Sequence, residues 1–443
     1  MAASLSRPSS FFARASAIAG FLGLALWADP SRADDIVPSL SLQTGVTITR
    51  SPGNDANDYF VAATPSISYF IEGNRTLLQL SYSFTGSLNS VLPNGIANRV
   101  GAAFSYDISP TTRLLIGAEG LQALIGNYLL VRRAPATRIG GLPNLNASLI
   151  TANLTQGITH EISPVVRLNQ NVNGTYVTSL DQQLRNYLVT GTVGVDRAWE
   201  FDAVGAEFGI QYARVFLPPL PTTNVVTFSL GPTWDHDISP TLSTSMAIAA
   251  QVAISPDPGT DPRIGPAGRA SILYSSEGSG VGLEYAGGIE PNLLLGTLLR
   301  SHQVTLRGFT PLSEKYQVIL GVSSGYIKAE AVSLDNSGIF DNAFDAVLHD
   351  ADITWAATNW LSMFVRYQFI GQTAGDGQAA TPAIVRHGAL FGLDLFASRP
   401  TERSRLPPTG FPKRVDRSDG SGSSGSKSGG SSSGLPQRAT TSR

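Results

Sequence analysis

Cysteine is absent from this chain of 443 residues. Neither a disulfide framework nor a thiolate metal site can be built from it. Charged residues are scarce too, at 14%, where ordinary soluble domains carry about a quarter. A membrane helix needs about 20 consecutive apolar residues. The one apolar run, over 15–27, stops well short of that length. There is also no phosphate-binding glycine loop, no local cluster of histidines and carboxylates, and no basic stripe interleaved with aromatics. These absences argue against nucleotide-dependent enzymes, metal centres and nucleic-acid binding, and the expectation is a chain with no cofactor and no metal site.

What is present falls into three regions. Residues 1–33 have the layout of a secretory signal: Arg7 and Arg14, an apolar stretch, then a small-residue site at Ser31-Arg32-Ala33. Residues 34–397 form a long patterned body. Residues 398–443 are dominated by Ser, Gly, Arg and Pro, a composition that buries too little apolar area to offset its ordering entropy. The expectation for that tail is a disordered, periplasmic segment. It carries 9 basic and 3 acidic residues, and this excess could attract cell-wall polymer or an export subunit.

The body repeats with a period of two, as a strand does when its two faces meet different solvents. Leu40, Leu42, Val46 and Ile48 alternate with Ser39, Ser41, Gln43, Gly45, Thr47 and Thr49. Leu78, Leu80, Tyr82 and Phe84 alternate with Gln79, Ser81, Ser83 and Thr85. Val226, Phe228, Leu230 and Trp234 alternate with Thr227, Ser229, Gly231, Thr233 and Asp235.

A soluble β-sandwich alternates as well, so the connections must decide. They run alternately long and short. Short turns are read at 72–75, 109–111, 163–164, 199–200, 239–240, 276–280, 311–315 and 358–359. Long connections are read at 51–58, 86–97, 121–146, 178–186, 216–224, 255–265, 290–301, 327–343 and 371–383. Short turns on one membrane face and longer loops on the other are the pattern of single-chain transmembrane β-barrels. The count predicts an all-β, antiparallel, up-and-down barrel of about 18 strands, with 16 as the lower bound.

Two further observations fit a barrel in lipid. No Asp, Glu, Lys or Arg falls mid-strand on the faces read as outward, where Arg or Lys would cost about 2–4 kcal/mol at the bilayer midplane. Trp199, Trp234, Trp355 and Trp360 all fall beside short turns, as an interfacial girdle would place them.

The segment Arg386-His387-Gly388-Ala389-Leu390-Phe391-Gly392-Leu393 resembles the assembly signal of bacterial outer-membrane barrels, which implies insertion by the barrel-assembly machinery. Three turn phrases, Asp107-Ile108-Ser109-Pro110, Glu161-Ile162-Ser163-Pro164 and Asp237-Ile238-Ser239-Pro240, are similar to those of the β-barrel porin 2 family. That resemblance spans most of the body. It implies a barrel of the bacterial outer membrane, in some members linked to surface polysaccharide export, and carries over no catalytic residue.

The residues read as inward are mostly Ser, Thr, Asn, Gln and Gly, which suits a water-filled lumen. The charges read as pore-lining are Arg99, Arg113, Glu119, Glu161, Arg167, Asp196, Glu207, Asp235, Arg269, Glu284, Arg307, Asp350, Asp352, Arg366 and Asp394. Their acidic excess points to a mild cation preference unless they pair along the wall. Arg132, Arg133 and Arg138, in the longest connection, are candidates for a loop folded into the lumen as a constriction. The reading is a porin-like channel for small hydrophilic solutes in the bacterial outer membrane, in contact with outer-membrane lipid. The alternatives are a polysaccharide-export component or a structural or adhesive barrel. For a catalytic barrel the one pair worth testing is Ser324 with His349, on the lipid face.

Overall fold

The structure is a computed structural model that describes residues 36–396, except 52–54, 74, 125–147, 180–183, 217–221, 258, 277, 294–296, 314–316, 333–342 and 374–382. The export segment, the tail and the loop carrying Arg132, Arg133 and Arg138 lie outside the described residues.

Eighteen strands follow one another: β1 (Ile36–Arg50), β2 (Ala56–Glu72), β3 (Thr76–Asn89), β4 (Gly95–Ser109), β5 (Thr112–Leu124), β6 (Ser148–Ser163), β7 (Val166–Ser179), β8 (Leu184–Ala198), β9 (Asp202–Val215), β10 (Thr223–Ser239), β11 (Leu242–Ile254), β12 (Arg263–Ser276), β13 (Ser279–Asn292), β14 (Thr297–Ser313), β15 (Val318–Ala331), β16 (Ala343–Trp355), β17 (Leu361–Gln372) and β18 (Ile384–Phe396). Each pairs antiparallel with its neighbours in the chain. β18 pairs with β1 from Ser39 opposite Phe396 to Arg50 opposite Val385, so the sheet closes and has no edge.

Closure matters because lipid offers no hydrogen bonds to a free strand edge. The strands are 12 to 17 residues long, and about 9–11 residues of tilted strand cross the hydrocarbon. Large apolar side chains stand exposed on alternate positions, among them Val61, Leu80, Val100, Leu154, Val193, Phe208, Leu230, Ile248, Leu283, Val304, Val365 and Phe391. The opposite positions are the concave side, because side chains from strands three apart meet there: Arg269 of β12 bonds Glu207 of β9, and Phe60 of β2 packs with Phe364 of β17. An apolar belt outside a closed antiparallel sheet makes this a transmembrane β-barrel.

From the strand bounds, connections on the β2–β3 side have two to five residues, and those on the other side 4 to 23. The turn and loop rhythm read from the sequence therefore holds, with one correction. Three connections read as long, over 86–97, 178–186 and 290–301, are mostly strand, and only 90–94, 180–183 and 293–296 connect them. In the last two the error lay in treating Asn186, Pro291 and Asn292 as loop residues.

The three similar turn phrases fold alike. Each has a register shift between its acid and its serine. The intervening Ile108, Ile162 and Ile238 are exposed at the rim. The serine hydroxyl then accepts a turn N–H, from Thr111 to Ser109, from Val166 to Ser163 and from Thr241 to Ser239. Each acid also donates its own N–H to a carbonyl of the preceding turn, so neighbouring turns are tied together.

Candidate functional site

Among the described residues, the inner wall carries five ion pairs, formed by nine of the residues read as pore-lining together with Asp107. Arg99 bonds Glu119 at 3.0 Å, and Arg113 bonds Asp107 at 2.7 Å. Arg167 grips Asp196 through both Nε and Nη2, at 3.3 and 3.1 Å, while Asn169 adds a bond at 2.8 Å. Arg269 reaches Glu207 at 2.8 Å. Arg366 lies 3.9 Å from Asp350, with its guanidinium over the Phe364 ring.

Most of these pairs follow from register. Asp107 stands opposite Arg113, Arg167 opposite Asp196, and Glu119 two places from the partner of Arg99. Arg269 and Glu207 are different, since β10 and β11 lie between them. Gly231 stands opposite Glu207, and Ala247 opposite Arg269, so the wall under the pair is made of small residues.

Among the described residues, Glu161, Asp235, Glu284 and Arg307 enter no ion pair. Asp352 stands opposite Arg366 in the register and accepts a bond from Thr354. Asp394 shares a recess with Ser39, Ser41, Thr64, Ser66, Ser83 and Arg99. Asp350, Asp352 and Asp394 thus share this stretch of wall with Arg366, Arg99 and the buried Arg386.

The inner face departs at several places from the polar lining read from the sequence. Phe60, Ala62, Phe364 and Leu390 form a buried apolar cluster on the inner face of β2, β17 and β18. Leu299, Ile327, Ala329, Phe344 and Ala346 form another on β14, β15 and β16. Glycines make room for the first: Leu390 stands opposite Gly45, and the Phe364 ring covers Gly392. Buried apolar residues also line the inner face of β10, β11, β13 and β14 (Val225, Ala253, Ile289 and Leu298) and of β4 and β5 (Ala97, Leu121 and Ala123), so they interrupt the polar lining in several sectors.

The outer wall carries a row of histidines, of which the sequence reading singled out His349 alone. His302, His349 and His387 all face outward, each with Nδ1 at a hydroxyl: Tyr285 at 2.9 Å, Ser324 at 2.8 Å and Tyr367 at 2.8 Å. Phe369 lies between His349 and His387, with centroid distances of 5.7 and 4.9 Å. The pair Ser324 and His349 thus meets on the lipid face, as read, but the imidazole is stacked on a phenyl ring. Among the described residues, no carboxylate orients it.

Trp199 and Trp360 lie in short turns, Trp355 ends β16, and Trp234 lies on β10, five residues before its turn. Trp234 donates to Asp202 at 2.9 Å, and Arg197 lies over the Trp199 ring. Tyr59, Tyr176, Tyr187, Tyr212 and Tyr326 stand toward the long-loop ends of their strands, an opposite belt that the sequence reading did not assemble. Its signal was available in the count of Tyr residues near the longer connections.

No protein-family profile matches the chain, and no curated protein does. Solved structures with a similar outline include Pseudomonas aeruginosa OccK2 (OpdF) in complex with glucuronate, at 11% identity and a TM-score of 0.44, over 82% of this chain and 98% of that one. Pseudomonas aeruginosa OccK5 (OpdH) matches at 12% and 0.42, over 82% and 98%. The E. coli K12 ferric-catecholate import receptor Fiu matches at 10% and 0.41, over 82% of each chain. Likenesses of this degree carry no argument about the chain, whose reading rests on its own side chains.

Proposed function

We propose that the chain is an outer-membrane channel of the porin type, through which small hydrophilic solutes diffuse passively. The observation that carries this is the pairing of an apolar outer belt with an inner wall of ion pairs and polar side chains in one closed 18-strand sheet. Barrels of 16–18 strands leave an aqueous channel unless a segment fills it. Charges such as Glu284 and Arg307 on the concave face keep their hydration only if water is there.

The fifteen charges line this path in the proposal, with the acidic excess giving a weak preference for cations. Because five pairs neutralise each other locally, that preference stays mild. The resemblance to the β-barrel porin 2 family is supported by the common geometry of the three turns on which it rests. Residues 1–33 are the export signal in this account, the barrel-assembly machinery inserts the barrel, and 398–443 extend into the periplasm toward an anionic partner.

Catalysis is not part of the proposal, because His349 is packed against Phe369 rather than oriented by an acid. The test is swelling of vesicles that contain the purified full chain in isotonic sugar solutions. Small sugars should enter and swell the vesicles at rates that fall with solute size. No swelling with any sugar, from protein shown to be folded, would reject the channel.

A further inference from the structure

The wall is interrupted at one place. β12 and β13 pair from Ser276 opposite Ser279 up to Gly268 opposite Gly287, and the ladder stops there although both strands continue. The same register would next set Ala267 opposite Gly288, then Pro266 opposite Ile289. Proline has no N–H to give, so a ladder at Pro266 lacks one of its bonds.

Gln251 of β11 supplies the missing partner. Its carboxamide reaches across the inner face of β12, donates to the Ile289 carbonyl at 2.9 Å and accepts the Ile289 N–H at 2.7 Å. One side chain replaces both bonds of a peptide. The replacement draws β13 inward: a Cβ on Gly288 would lie 3.3 Å from Ala267 Cβ and 3.1 Å from Gln251 Oε1. Ile289 is fully buried, over Gly265 and against Val225, Ala253 and Leu298.

Beyond Ile289 the same end of the hairpin is held from farther round the barrel. Asn186, fully buried on the inner face of β8, donates to the Leu293 carbonyl and accepts the Phe216 N–H. β8 and β13 are five strands apart, so the contact crosses the mouth of the lumen rather than following the wall.

We propose that this end of β13 and β14 is the channel's constriction, bent inward at Gly287 and Gly288 and fixed by Gln251 and Asn186, and that it sets the largest solute admitted. The proposal rests on the porin reading above. It is independent of the loop of Arg132, Arg133 and Arg138, which lies outside the described residues. Ladder bonds given up at Pro266 and rebuilt from a buried glutamine are what a fixed inward bend requires.

The chain's lack of cysteine allows a direct test. In Ala267→Cys/Gly288→Cys the two Cβ atoms come close to disulfide spacing, so the pair should oxidise spontaneously, as read by mass. Oxidised and reduced forms should then show the unit conductance of the parent. Gln251→Ala/Asn186→Ala should fold, with the usual heat-modifiable gel shift, yet conduct more and admit larger polyethylene glycols. Parental conductance and exclusion limit in that folded variant would overturn the constriction, as would failure of the cysteines to pair. A variant that does not fold sends the same readout to Gln251→Glu and Asn186→Asp, where unchanged exclusion again overturns it. Silence of every protein, parent included, with the disulfide formed would overturn the porin reading and the constriction with it, while leaving the bend itself intact.

Discussion

Arg269 donates from Nη2 to Glu207 Oε2 at 2.8 Å across two intervening strands, the longest reach of any inner-wall ion pair among the described residues. The arginine is more than half exposed, so water weakens the attraction, and the pair contributes less than about 1 kcal/mol. Its weight is electrostatic rather than structural. Arg269→Ala should leave urea unfolding within about 1 kcal/mol of the parent. It should also free the Glu207 carboxylate and move the zero-current potential in a KCl gradient toward greater cation preference. A shift toward anions would contradict the placement of this pair in the conducting path.

Phe364 and Gly392 give a prediction about packing. The phenyl ring covers the glycine closely enough that a Cβ there would fall inside it. Gly392→Ala forces the ring aside in a cluster that also holds Phe60 and Leu390, and overpacking of this kind costs about 1–3 kcal/mol. The folded band on cold gels should convert to the unfolded one at a lower temperature. Phe364→Leu in the same chain should recover part of the loss, and no recovery would place the strain elsewhere.

Ser324 and His349 invite a catalytic test, with inactivity expected. The parent should release no fatty acid from phospholipid vesicles, and Ser324→Ala should change nothing. Removing a hydrogen bond in lipid costs on average about 0.6 kcal/mol, so stability should fall only slightly. His349→Phe should be tolerated, since Phe369 already offers a stacking partner. Hydrolysis by the parent that disappears in Ser324→Ala would reverse this conclusion.

Much of the barrel is legible in the sequence because strand geometry forces it. Leu40 and Ser41 must take opposite faces, and in the structure they do; Ser163-Pro164 must turn, and it does. The chain-order pairing then needs no long-range information. Other features depend on residues far apart in sequence. Phe60 and Leu390 meet only because β18 closes onto β1, and nothing local to either residue reports that contact. Period two also treats Leu390 as ambiguous, with Ala389 and Phe391 beside it on the other face.

Ile289 was the hardest to read. Alternation from Val281, Leu283 and Tyr285 puts it on the lipid side, yet the structure buries it against Val225 and Ala253 inside the mouth. Pro266 was a visible warning of a broken ladder, but its partner strand and the compensating Gln251 emerge only from register. The face a charged side chain takes follows from its parity within one strand, which is local. Which acid each arginine takes is not, and Arg269 with Glu207 is the clearest case.

The central claim is that water fills a path through this barrel. Reconstitution of the purified full chain in a planar lipid bilayer tests it most directly. The account predicts stable, ohmic openings with a mild cation preference in a KCl gradient. A folded protein that inserts and carries no current would contradict it.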